Sequence, residues 1–128
     1  MRYITPRKAA TGLGSARSGT MRHWQLTVSA YALIILTPLF LAVVGGAIGL
    51  PREQVAMHFG RPFAGVITGL FIVVGMLHFM QGTRNMIDDY LRGGAHKGAI
   101  IASQVLGWGV IAAAIFALAK MALITPTL

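Results

Sequence analysis

The chain of 128 residues has no cysteine and only three acidic residues, Glu53, Asp88 and Asp89, against eleven Lys and Arg. Without cysteine there is no disulfide, no thiolate metal site, no cysteine nucleophile and no ligand set for an iron–sulfur cluster. The glycine fingerprint of a dinucleotide-binding fold is missing as well. Charged residues make up 11% of the chain, far below the roughly 25% of a soluble domain. Apolar residues take their place: 55% are hydrophobic and the mean hydropathy is +0.70. They fall in long blocks, so the sequence predicts an all-α membrane protein with a single membrane domain. The net charge of +8 lies at the edges of those blocks. It reads as topology signal and contact with anionic membrane lipid, and no nucleic-acid-binding motif accompanies it.

Residues 1–23 form a basic arm with Arg2, Arg7, Lys8, Arg17 and Arg22 and no acid. Gly12, Gly14, Ser15, Ser18 and Gly19 disfavour a regular helix there. Such a start suits a cytoplasmic arm, the reading adopted, and also resembles an organelle transit peptide. Residues 24–128 make up a three-helix membrane domain with spans at about 24–50, 62–87 and 98–123, each long enough for the ~20 residues of a crossing. Trp24 sits at an interface, and Pro38 is expected to kink the first span. Residues 51–61 read as a short linker in which His58 is a solvated loop histidine. Pro62 is well placed to open the second span. Trp108, deep in the third, reads as a packing residue. Eight Lys and Arg lie on the side of the arm and the second connection and three on the other, which predicts a cytoplasmic N-terminus and a C-terminus on the opposite side.

The informative stretch is residues 78–90, which opens on a histidine within an apolar helix and closes on Asp88, Asp89 and Tyr90. An ionisable group at membrane depth is costly and marks a functional position. His78 lies about 15 Å of helix inside Asp88. It is either a neutral histidine bonded to a neighbouring helix or an axial ligand to haem iron, a role imidazole suits. No other span carries a histidine, so a second axial ligand would come from another polypeptide. Ala64, Ile67, Phe71, Val74, Gly75, Gln81, Gly82, Asn85 and Asp89 fall within roughly 60° of His78. Gly75 and Gly82 on this face leave room for something flat. Gly65 and Gly69 on the opposite face form a small-xxx-small pair for close helix approach. One face is therefore expected to pack on the chain's own helices and the other to receive a ligand or partner. The acids at 88 and 89 oppose the helix macrodipole, and Arg84, Arg92 and Lys97 are near enough to compensate. They form either a solvated cap or a membrane-surface site in which the Tyr90 hydroxyl donates to a quinone carbonyl beside a proton-supplying carboxylate.

Taken together, these features resemble the hydrophobic membrane-anchor subunits of succinate dehydrogenase. The resemblance rests on three spans with the N-terminus inside, on His78 followed by Asp89-Tyr90, and on the arm Gly12-Leu13-Gly14-Ser15-Ala16-Arg17-Ser18-Gly19-Thr20 leading to His23-Trp24. It implies haem b shared with a cytochrome-b anchor subunit, His78 as one axial ligand of the iron, and Tyr90 with Asp89 at a ubiquinone site. It also implies flavoprotein and iron–sulfur subunits as partners. The chain itself would not oxidise succinate. The location implied is the bacterial inner membrane, or alternatively the mitochondrial inner membrane. The family's first span usually opens on Gln-Arg-x-Thr-Ala, whose arginine lies near the haem propionates. Here the stretch reads Leu26-Thr27-Val28-Ser29-Ala30, so Arg22, His23 or the partner subunit is expected to pair the propionates instead. A fumarate reductase anchor, and an assembly protein in which His78 only packs, are the alternative readings.

Overall fold

The computed structural model describes residues 3–11 and 19–124. They form five helices: α1 Pro6–Thr11, α2 Gly19–Gly45, α3 Arg52–Gly60, α4 Pro62–Tyr90 and α5 Gly93–Ile124. Among the described residues there is no strand. Helices α2, α4 and α5 are long and apolar enough to cross a membrane, as expected where lipid leaves backbone groups no partner outside the helix. Each runs to or past the ends of its expected span except α2, which begins at Gly19 and ends at Gly45. That helix is continuous through Pro38.

Two segments expected to be irregular are helical. In the arm, Pro6 opens the short helix α1, where its missing N–H costs nothing, and the Lys8 amide donates to Thr5 Oγ1 at 3.3 Å. Most of the glycine- and serine-rich stretch, residues 12–18, lies outside the described residues. The supposed linker is α3. Gly49, at φ +81°, turns the chain out of α2, and extended Pro51 precedes α3.

His58, on α3, is not a solvated loop residue. Its Nε2–H donates to the Val43 carbonyl at 2.9 Å. The reason lies in how α2 ends. The Ala47 amide turns to Val44 O, which leaves Val43 O without its usual helical donor. His58 supplies that donor and ties α3 to the end of α2.

The three spans form a row. Helix α4 contacts α2 on one side and α5 on the other, while α2 and α5 do not meet, and α3 rests on α4 and α5. A row encloses little. Only 6% of the most apolar stretch of α2 is buried within the chain, against 17% for α4 and for α5. The remaining apolar surface faces lipid or other subunits. Trp108, read as a packing residue, is on that surface and 57% exposed, so its own helices do not cover it.

Both faces of α4 are used internally. Gly65 sits under the last turn of α3, where a Cβ would come to 2.9 Å of Phe59 O, and Gly69 faces Leu118 of α5. On the other side, Phe71 stacks on Phe40 of α2 with centroids 4.1 Å apart, and Gly75 faces Leu33. The expectation that the His78 face stays free is therefore corrected. It packs on α2 from Phe71 to His78 and opens only beyond, at Gly82, where a side chain would meet nothing within 4 Å.

Candidate functional site

His78 lies in the middle of α4, facing α2. Its Nδ1 is 2.9 Å from Ser29 Oγ, and Ser29 Oγ donates to the Leu26 carbonyl at 2.9 Å. A serine hydroxyl has one proton. With that proton on Leu26 O, the Nδ1–H of His78 donates to the Ser29 oxygen. The Nε2 of His78 has no hydrogen-bond partner among the described residues. Sequence reasoning identified His78 but passed over Ser29, which lies 49 residues away.

Nearer the end shared by Trp24 and Tyr90, residues of α2, α4 and α5 line a partly open cavity of about 160 Å³. Arg22, Gln25, Gln81, Arg84, Asn85 and Gln104 give it a donor-rich wall with no carboxylate, closed by Leu26 and Met80. Two polar atoms here, Gln81 Oε1 and Arg84 Nε, are buried without a hydrogen-bond partner. Of the two candidates for an anionic group, Arg22 lines this cavity, whereas His23 is exposed and outside it. Thr27, at the position where an arginine was expected, spends its hydroxyl on His23 O at 2.9 Å and offers no charge.

The acidic exit divides into two parts. Asp88 bonds His96 Nε2 of α5 at 2.7 Å, and its second oxygen is 4.0 Å from Arg84 Nε. These groups answer the unfavourable placement of acid at the end of α4, with His96 in a role foreseen for Arg92 and Lys97. Asp89 and Tyr90 point outward, Tyr90 82% exposed, and neither bonds another described residue. The phenol and its neighbouring carboxylate lie about 18 Å along the helix from His78. Among the described residues no three His or acidic side chains converge on a metal site, so His78 offers a single donor.

These features define a helical membrane subunit that carries one imidazole at depth and a polar site at one end, and whose remaining walls come from lipid or other chains. The chain belongs to the succinate dehydrogenase/fumarate reductase transmembrane subunit family, which matches residues 1–119. It is 64% identical over 123 residues, 96% of this chain and 95% of its relative, to the succinate dehydrogenase hydrophobic membrane anchor subunit of Paracoccus denitrificans. No solved structure matches it.

Proposed function

We propose that this membrane anchor subunit of succinate dehydrogenase binds haem b jointly with a cytochrome-b anchor subunit and contributes to the site where ubiquinone is reduced. The observation that carries the proposal is His78, an imidazole at membrane depth whose Nδ1 is 2.9 Å from Ser29 Oγ and whose Nε2 has no hydrogen-bond partner among the described residues. The residues fit the group. His78 would be one axial ligand, and the partner would supply the other. Arg22 and Arg84 would face the propionates across a cavity lined with amides and no acid. Bound haem supplies reversible one-electron storage, at a potential set by its ligands and their hydrogen bonds.

The chain's own residues bind, orient and move protons. Arg22 neutralises carboxylate charge that would otherwise be stranded near the membrane interior. Tyr90 donates its hydroxyl to a quinone carbonyl, and Asp89 orients that phenol and exchanges protons with the aqueous side. Reduction of ubiquinone to the quinol takes two electrons and two protons. The electrons come through iron–sulfur and flavin-bearing subunits, since this chain has no cysteine and no dinucleotide fingerprint. The basic end, with Arg7, Lys8, Arg22, Arg92 and Lys97, faces the cytoplasm of a bacterial inner membrane.

The test is a pair of variants in the detergent-purified complex. His78→Ala is expected to abolish the low-spin b-type spectrum. Tyr90→Phe is expected to impair quinone reduction while succinate oxidation by an artificial acceptor stays intact. An unchanged low-spin spectrum in His78→Ala would overturn the haem assignment, and full quinone reductase activity in Tyr90→Phe would overturn the quinone site.

A further inference from the structure

We propose that Ser29 is the positioning residue for His78: its oxygen accepts the Nδ1–H, fixes the tautomer that presents a bare Nε2 to iron, and sets the rotation of the ring. This rests on the haem reading above and goes beyond it.

Three observations support it. First, the Oγ–Nδ1 distance is 2.9 Å, and Oγ is also 2.9 Å from Leu26 O. The serine is held by its own helix and so cannot swing away. Second, Ser29 Oγ lies within donating distance of Leu26 O, and a proton directed there leaves the oxygen an acceptor toward the imidazole. A serine free to rotate could equally donate to Nδ1, which would protonate Nε2 and make it useless as a ligand. Third, Leu26 also lines the cavity that holds Arg22 and Arg84. One turn of α2 thus buttresses the imidazole while its preceding turn carries charge for the propionates.

The hydrogen bond has an electronic consequence. An acceptor on Nδ1–H raises the basicity of Nε2, which favours the ferric state and lowers the midpoint potential. In Ser29→Ala the imidazole loses its one hydrogen-bond partner among the described residues, and its rotation is no longer set from α2.

The experiment uses the intact complex in mild detergent, with Ser29→Ala, Ser29→Cys, Ser29→Thr and His78→Ala. Three quantities are measured: haem retained on dilution, midpoint potential by redox titration, and the largest g value of the ferric haem. Ser29→Ala is expected to weaken haem binding by about 10–100-fold, raise the potential and shift the g value. Ser29→Thr, which keeps an oxygen anchored to the preceding turn, is expected to restore all three. Should the alanine variant fail to assemble, Ser29→Cys has nearly the same shape with a poor acceptor, and the same upward shift in potential is required of it. An unchanged potential and g value in both Ser29→Ala and Ser29→Cys overturns the proposal. So does a threonine variant as perturbed as alanine, since that marks a packing role only. Retention of the low-spin spectrum in His78→Ala removes the haem reading itself. Loss of that spectrum with silent Ser29 variants removes only the role of Ser29.

Discussion

Gly107 on α5 faces Met80 on α4, and the contact is too close for any side chain. A Cβ built there overlaps the Met80 side chain, coming to 2.6 Å of its Cγ and meeting the sulfur closer still. Met80 is 3% exposed, so it has little room to withdraw, and it also walls the cavity of Arg22 and Arg84. Overpacking of this kind costs about 1–3 kcal/mol. The opposing term is that alanine is favoured over glycine within a helix by about 0.8–1.0 kcal/mol. Gly109, two residues on, separates the two terms, because a Cβ there meets nothing within 4 Å. In a denaturant titration of the chain in detergent micelles, Gly109→Ala is expected to be neutral or slightly stabilising. Gly107→Ala is expected to fall below it by the full clash, about 1–3 kcal/mol. Shortening the opposing side chain in Gly107→Ala/Met80→Ala is expected to give a favourable coupling of about 0.5–3 kcal/mol. Equal effects at 107 and 109, or strict additivity in the double variant, would refute the contact and the close approach of α4 and α5 that depends on it.

Two further outcomes follow from contacts at opposite ends of the row. His58→Ala leaves Val43 O without a donor at the end of α2 and is expected to cost about 1–3 kcal/mol, with faster amide exchange confined to α3 and the last turn of α2. Uniform exchange across α3 and α5 alike would argue against a local tie. His96→Ala breaks the hydrogen bond to Asp88 between two partly exposed side chains and is expected to cost about 0.5–1.5 kcal/mol in a stability measurement. No loss at all would show that the contact does not join α4 to α5 as described.

Much of the plan was legible from residue order. Three apolar runs, a histidine inside the second and acids at its exit led to the span count and to His78, Asp89 and Tyr90 as the residues to follow. The physical reason is that lipid penalises unpaired backbone and buried charge so heavily that composition alone reports on both. The failures share a cause. His58 read as a loop residue because a nine-residue helix of mixed polarity carries no periodic signal and its partner is fifteen residues away. Trp108, deep in the third span, is left uncovered by its own chain, because in a row of helices depth in the membrane and burial within the chain differ. The face of His78 read as free because its Gly75 and Gly82 neighbours looked alike, yet Gly75 faces Leu33 and Gly82 is open.

The sequence by itself determined that this protein is helical, that it crosses the membrane with α2, α4 and α5, and that an imidazole sits at depth on the second of them. Each of these follows from local runs and from the cost of moving polar groups into lipid. Only the tertiary structure decided that the spans stand in a row with α4 at the centre. It alone set the serine of α2 against His78, closed Arg22 and Arg84 around one cavity, and gave Asp88 its partner in His96. Helices apolar on every side carry little record of which way they face. Rotation and order come from close contacts such as Gly107 with Met80 and Phe40 with Phe71, between residues far apart in the chain.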